Sequence, residues 1–129
     1  SMGTDLKKVL VAIEDFVDPA DLADWKHQTN DWELEYAQAS PHLQQRPINL
    51  DPGYVTQAKL VLATTKDRDH RVYLRRGMFA EVTLTYVGKK WQTHRWTYPS
   101  YRTPEVAQFA ADCRLQLRQF LQRTKRYRG

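Results

Sequence analysis

Apolar and polar residues alternate like β-strands in the middle of the chain and follow helical spacing on either side. Residues 8–14 are rich in β-branched and apolar side chains and predict a first strand. Asp18-Pro19 has the chemistry of a helix start, with Asp18 as N-cap and Pro19 in the first turn. The following helix carries one apolar stripe at three- and four-residue steps, which predicts a core-facing side: Leu22, Trp25, Thr29, Trp32, Tyr36 and Ala39.

The region after this helix predicts a loop, a tight turn and a central strand. Residues 40–47 predict the loop, and Asp51-Pro52-Gly53 predicts the turn, with Gly53 at positive φ. Residues 55–65 predict one strand that is apolar on both faces near Leu60, as in a sheet covered on both sides.

The clearest local prediction is a hairpin whose loop is Arg75, Arg76 and Gly77, with Gly77 left-handed. A three-residue loop keeps polar and apolar side chains on separate faces, whereas a two-residue loop mixes them. The longer loop predicts these cross-strand pairs: Arg71 with Glu81, and Tyr73 with Phe79. It also predicts one shared apolar face: Val72, Leu74, Met78, Ala80, Val82 and Leu84.

The chain ends in a further strand and a second helix. Residues 87–90 predict a turn, residues 91–97 a strand, and Thr103-Pro104 a helix start. The predicted buried stripe of that helix is Val106, Phe109, Cys113, Leu117, Phe120 and Leu121. The order β-α-β-β-β-β-α predicts the α+β class: an antiparallel, meander-like sheet with two amphipathic helices packed on one face, in a single domain over residues 1–129.

Charge is unevenly distributed along the chain. Lys and Arg number 20 against 15 Asp and Glu, giving a net charge of +5, and no acidic residue follows Asp112. Six basic residues do: Arg114, Arg118, Arg123, Lys125, Arg126 and Arg128. Such a terminus attracts phosphates, RNA or acidic proteins. The simpler interpretation is a solvated helix end favoured by the helix dipole.

Cysteine usage and hydropathy indicate the compartment. The only cysteine, Cys113, lies on the predicted apolar stripe, where inert packing is the expected role, and one cysteine builds no disulfide framework. No apolar run approaches the roughly 18 residues of a membrane span, and no secretory signal opens the chain. We therefore expect a cytoplasmic protein with no membrane partner. Ser1 ahead of Met2 is typical of a residue left by tag removal.

Strong cofactor and catalytic motifs are absent from the sequence, including the P-loop, G-x-G-x-x-G, H-E-x-x-H, C-x-x-C and G-x-S-x-G, so no cofactor is expected. Lys66-Asp67 after a strand is only faintly similar to the guanine-reading motif of GTPases, because the residue two after Lys66 is Arg68. Asp67, Asp69 and His70 crowd one turn, but Asp is a favoured turn residue, and no metal site is predicted.

Two polar patterns supply candidate ligand residues. One face of the predicted sheet is polar, either as its wet side or as a cradle for an anion, with Arg71 oriented by Glu81. The run WQTHRWTYPSYR, residues 91–102, mixes aromatic and basic residues, a combination that binds single-stranded RNA but that is also typical of core packing. The candidate ligand residues are Lys66, His70, Arg71, Tyr73, Glu81, Arg95, Trp96 and Tyr98.

Two long segments of the chain carry a family resemblance: DPGYVTQAKLVLATTKDRDHRVYLRRGMFAEVTLTY, residues 51–86, and WTYPSYRTPE, residues 96–105. Together they resemble one uncharacterised bacterial family, domain of unknown function 4416. The upstream helix carrying Thr29-Asn30 and Glu33 is also similar to the family. The resemblance implies a bacterial source and an α+β domain but no activity. Some relatives are labelled GTP-binding, and no motif here supports that label.

The sequence departs from the pattern of this family in three ways. Arg95 and Ser100 stand where relatives usually have Pro and Asp. Arg75-Arg76 replaces a turn that usually carries Gly-Asp. Relatives also typically carry a further β-α-β-like segment ahead of the point where this chain begins, which implies a truncated chain or a short family member.

Three functions remain open at this point. The first is a binding module for a phosphate-bearing ligand, a nucleotide or RNA. The alternatives are an enzyme that uses Asp67, Asp69, His70 and Glu81 for acid–base or metal-assisted chemistry, and a structural or interaction protein. If the additional segment is absent, the strand at residues 8–14 is an exposed edge, and we expect a homodimer that covers it.

Overall fold

A computed structural model describes two segments of the chain, residues 18–39 and 51–124. The predicted strand at residues 8–14 and the predicted loop at residues 40–47 lie outside them, so the homodimer expected through that strand stays a prediction. The elements, with a short 3-10 turn before each helix, are α1 (Leu22–Ala39), β1 (Gly53–Val55), β2 (Lys59–Thr64), β3 (Arg71–Arg75), β4 (Met78–Val87), β5 (Lys90–Thr93) and α2 (Pro104–Arg123).

The described strands form one antiparallel sheet centred on β4. Strand β2 pairs along one side of β4 and in turn pairs with β1. Strands β3 and β5 follow one another along the other side of β4, β3 beside its first residues and β5 beside its last. Two helices and an antiparallel sheet confirm the predicted α+β class.

The β3–β4 hairpin has the predicted register but a different loop. Arg71 pairs with Glu81 and Tyr73 with Phe79, as expected. The register then shifts, so that Arg75 already pairs with Met78 and the extra residue is a bulge before it. A two-residue turn remains, with both of its residues at positive φ. Such turns match the twist of paired strands, which explains why the extra residue is accommodated in the strand.

The single strand predicted over residues 55–65 is divided into β1 and β2 by a short turn. The Thr56 hydroxyl accepts hydrogen bonds from the backbone N–H groups of Ala58 and Lys59, both at 3.1 Å, and this local bonding closes the turn. Gly53 is not the left-handed turn residue that the sequence predicts, because it lies within β1. A Cβ at Gly53 would lie 2.3 Å from the Val61 carbonyl oxygen, so glycine permits the close approach of β1 to β2.

The two helices pack against alternate residues of β2. Leu22 of α1 forms a core cluster with Val61 and Ala63. Val106 of α2 belongs to a second cluster with Leu60, and Leu62 packs against that cluster. Because successive side chains of a strand point to opposite faces, the helices lie on opposite faces of the sheet. The sequence predicts both on one face.

A bulge in β4 explains this second apolar face. Val61 pairs with Val82 and Leu60 with Leu84, which leaves Thr83 without a partner in β2. The extra residue reverses the alternation, so that Val82 packs with α1 while Leu84 packs with α2. A strict period of two predicts Val82 and Leu84 on the same face.

Helix α2 begins where the sequence predicts, whereas Asp18 caps the short 3-10 turn that precedes α1. Asp18 accepts a hydrogen bond from Ala20 N at 2.9 Å, and Thr103 accepts one from Val106 N at 3.3 Å. The predicted stripe of α1 packs only in its first half, since Trp32 and Tyr36 are 52 % and 44 % exposed. In α2 the most buried residues are Val106 and Ala110.

Candidate functional site

Several predicted site residues lie at a gap in the strand pairing along one edge of β4. Strand β3 pairs with β4 as far as Glu81, and β5 begins to pair at Leu84. The carbonyl groups of Val82 and Thr83 lie between, and they accept hydrogen bonds from Trp96 Nε1 at 2.8 Å and Thr97 Oγ1 at 2.7 Å. The strand predicted over residues 91–97 therefore ends at Thr93, because the following residues fill this gap with side chains.

Glu81 lies at the bottom of this region and is 4 % exposed. Its Oε1 accepts hydrogen bonds from His70 Nε2 at 2.9 Å and Arg71 Nε at 3.0 Å, and its Oε2 accepts one from Thr83 Oγ1 at 3.1 Å. The predicted pairing of Arg71 with Glu81 is present. The polar face is not exposed to solvent at this point, because neighbouring side chains cover the carboxylate and form hydrogen bonds to both of its oxygens.

His70 faces a carboxylate from each of its ring nitrogens. Its Nδ1 lies 3.1 Å from Asp69 Oδ1, and its Nε2 lies 2.9 Å from Glu81 Oε1. Each ring nitrogen is therefore engaged by a carboxylate oxygen. The hydrogen bond from His70, together with one from Arg95, lowers the pKa of Asp69.

The Trp96 ring stacks with the rings of His70 and His94. Its ring centroid is 4.8 Å from that of His70 and 4.6 Å from that of His94, with nearly parallel planes in both cases. His94 Nε2 lies 3.1 Å from Thr85 Oγ1, so the three rings are anchored to successive parts of β4. At the rim, Arg95 pairs with Asp69, and its guanidinium lies 5.3 Å from the Trp96 ring centroid.

The structure brings together five of the eight candidate ligand residues. We call them the polar cluster: His70, Arg71, Glu81, Arg95 and Trp96. The remaining three lie elsewhere. Tyr73 is at the hairpin end, where its hydroxyl accepts from Gly77 N at 3.2 Å. Tyr98 is 60 % exposed at the start of a 3-10 turn. Lys66 contributes its carbonyl, which accepts from Arg71 Nη1 at 2.9 Å.

Two hydroxyl groups that are not among the candidate ligand residues complete the cluster. Thr83 donates to Glu81, and Thr97 donates to the Thr83 carbonyl while accepting from His94 N at 2.9 Å. Both threonines are buried. Threonine is common in strands, so neither position carries a signal of its own in the sequence.

The polar cluster leaves few groups for a ligand. Both His70 nitrogens are bonded, and the Arg71 side chain is 6 % exposed. Among the described residues, Asp67 is bonded only through its backbone carbonyl, to Arg68, and does not join the cluster. Within residues 18–39 and 51–124, no three His, Cys, Asp or Glu residues are placed to hold a metal ion.

A second polar site lies where α2 crosses one end of the sheet. We call it the basic corner: Gln57, Tyr86, Trp91, Arg114 and Arg118. Arg114 Nε donates to the Gln57 carbonyl at 2.8 Å, and Arg118 Nη1 donates to the Gln57 side-chain Oε1 at 2.7 Å. One residue of the β1–β2 turn therefore fixes two guanidinium groups one helical turn apart.

Aromatic rings support this corner from the sheet side. The guanidinium carbon of Arg114 lies 3.8 Å from the ring centroid of Tyr86, and the Tyr86 ring lies 5.3 Å from that of Trp91. The indole nitrogen of Trp91 is buried and has no hydrogen-bond acceptor within the described segments. Cation–aromatic stacking of this kind restrains the orientation of an arginine.

The end of the sheet at the basic corner is rich in positive charge. The segments that form it, residues 56–59, 86–91 and 113–118, contain no Asp or Glu. They contribute three lysines besides the two arginines of the corner: Lys59, Lys89 and Lys90. The sequence places Arg114 and Arg118 in its basic C-terminal segment, but neither is among the candidate ligand residues, and no sequence pattern indicates the turn that binds them.

Comparison with known proteins gives one match. A family model described as Domain of unknown function (DUF4416) matches residues 1–116. No curated protein and no solved structure matches the chain. Among the described helices, none has the length and apolar character that a membrane crossing needs.

Proposed function

We propose that this chain, which belongs to the family described as Domain of unknown function (DUF4416), binds a phosphate-bearing ligand, a nucleotide or RNA, at its basic corner. The observation that carries the proposal is the anchoring of Arg114 and Arg118 by Gln57. Guanidinium groups held in fixed positions are well suited to phosphate, because their planar donors match its oxygens and little side-chain freedom is lost on binding.

The surrounding charge supports the same ligand class. Lys89 in the β4–β5 turn and Lys90 directly after it add to the positive potential of this end of the sheet, which attracts anions over about 10 Å at ordinary salt. The aromatic run at residues 91–102 offers fewer exposed rings for ligand binding than its sequence predicts. Trp96 is stacked internally and Tyr101 is buried, which leaves Tyr98 as its most exposed ring. Phosphate contact, more than base stacking, is therefore the basis of the proposed binding.

The acid–base alternative has less support. Asp69, His70 and Glu81 do converge, yet a general acid or base needs an atom that faces the substrate. Both His70 nitrogens are engaged, and Glu81 is 4 % exposed. These contacts favour a role of the polar cluster in holding β4 to the segment that follows β5.

Binding at two salt concentrations tests the proposal. Inorganic pyrophosphate, a nucleoside triphosphate and a single-stranded RNA oligomer are titrated separately at about 50 mM and about 200 mM salt. We expect binding that weakens with salt and is largely lost in Arg118→Glu, whereas Asp112→Asn on the same helix retains it. Absence of binding to all three ligands at the lower salt contradicts the proposed function. The three titrations also distinguish a free nucleotide from RNA.

A further inference from the structure

Two contacts of different kinds fix the orientation of Arg114 in the basic corner. Its Nε is bonded to the Gln57 carbonyl, and its guanidinium carbon lies over the Tyr86 ring, 3.8 Å from the ring centroid. We propose that Arg114 binds one phosphate group end-on, through its two terminal nitrogens together, and that Tyr86 and the Gln57 carbonyl position it for this contact. The inference rests on the proposed function, since it names the group that recognises the ligand at the same site.

The anchoring determines which donors remain. A guanidinium presents five N–H donors, and the one on Nε is used by Gln57. The four donors on Nη1 and Nη2 have no acceptor within the described segments, and the two of them that point away from Nε lie parallel at the outer edge of the group. That spacing matches two oxygens of one phosphate, so the contact is bidentate.

Preorganisation explains why this arrangement favours a specific phosphate contact over diffuse attraction. A free arginine loses rotamer freedom when it binds, whereas Arg114 has already lost it on folding. The turn that supplies the Gln57 carbonyl is itself closed by the Thr56 hydroxyl. A lysine at this position keeps the charge but has neither the planar fork nor the stacking surface.

A charge-conserving substitution tests the bidentate contact. Arg114→Lys is compared with Arg123→Lys, which lies nine residues further along α2 and about 180° around its axis. With inorganic pyrophosphate as the probe, we expect Arg114→Lys to weaken binding about tenfold or more, because one charged hydrogen bond and the fixed geometry are lost. Arg123→Lys should bind like the wild-type protein.

The two possible failures are distinguishable. If the wild-type protein binds and Arg114→Lys retains its affinity within about twofold, the attraction is diffuse, and the bidentate contact is refuted while the proposed function stands. If the wild-type protein binds none of the three ligands, the bidentate contact and the proposed function are both refuted.

A second pair of variants tests the positioning role of Tyr86. Tyr86→Phe keeps the ring face beneath Arg114, whereas Tyr86→Leu removes it. We expect the phenylalanine variant to retain pyrophosphate affinity and the leucine variant to lose it, with thermal melts run on both to measure any loss of folding. Equal affinities in the two variants, with both folded, would exclude a positioning role for the ring.

Discussion

Replacing Glu81 by glutamine tests the most buried part of the polar cluster while nearly conserving side-chain shape. The carboxylate neutralises Arg71, whose side chain is 6 % exposed, and accepts from His70, whose side chain is 10 % exposed. The amide oxygen of glutamine can take the place of Oε1 and accept from both His70 and Arg71, and its NH₂ group then faces Thr83 Oγ1, which can accept as well as donate, but the side chain no longer carries a negative charge. Positive charge is then left buried without a counter-charge.

Leaving a buried charge unpaired costs about 3–5 kcal/mol. Arg71 keeps its bond to the Lys66 carbonyl, and His70 keeps its bond to Asp69, so we expect the lower part of that range. A loss of about 3 kcal/mol corresponds to a fall in Tm of roughly 10 °C for a domain of this size. Adding Arg71→Met to Glu81→Gln removes the main unpaired charge and should recover part of the stability.

Urea unfolding followed by far-UV circular dichroism measures these differences as shifts of the midpoint at constant m-value. Asp69→Asn is the matched control, because it removes a carboxylate that also contacts His70 but is 68 % exposed, and exposed ion pairs stabilise little. We expect its midpoint to be close to that of the wild type. A loss below about 1 kcal/mol in Glu81→Gln would refute the inference that the buried charges depend on one another.

Three further predictions concern stability and titration. Thr97→Val removes the hydroxyl that bonds to both Thr83 O and His94 N, and it should cost about 1–3 kcal/mol in urea unfolding. The hydrogen bond from Arg75 lowers the pKa of Asp24 from its ordinary value of 3.8. The carboxylate therefore stabilises the fold above that pH, and this stabilisation is lost as the pH falls through the lowered pKa. The urea midpoints of wild type and Asp24→Asn should converge towards pH 2, and a difference that stays constant with pH would contradict the contact. Burial raises the pKa of Tyr101 above its ordinary value of 10.0, so this ring should stay protonated while the exposed tyrosines ionise. Folded wild type and Tyr101→Phe should therefore develop the same phenolate absorbance up to about pH 11. A smaller absorbance change in the variant would show that Tyr101 ionises in that range.

Register was predictable from the sequence where side-chain periodicity alone determines it. Arg71 pairs with Glu81 because a period of two leaves one register that separates polar from apolar residues. The bulge at Thr83 was not predictable, since one extra residue in a long strand leaves both flanking patterns intact. That bulge places the helices on opposite faces of the sheet.

The candidate sites divide in the same way. The pairing of Arg71 with Glu81 follows from the register, but the covering of Glu81 by His70, beside Trp96, depends on the chain leaving the ladder after Thr93. Charge asymmetry placed Arg114 and Arg118 in a basic C-terminal segment, but neither was among the candidate ligand residues. Their common anchor, Gln57, is separated from them by 57 and 61 residues, a distance over which no local pattern operates.

The indole N–H resonances provide the most direct test of the proposed site, because two tryptophans report on the two polar regions separately. Trp91 lies against Tyr86 in the basic corner, and Trp96 lies in the polar cluster with its Nε1 bonded to Val82. In a ¹H–¹⁵N spectrum titrated with inorganic pyrophosphate at low salt, we expect the Trp91 indole peak and the backbone peak of Gln57 to move in a saturable way, while the Trp96 indole peak stays in place. Movement of Trp96 without Trp91, or no movement of either, would contradict phosphate binding at the basic corner.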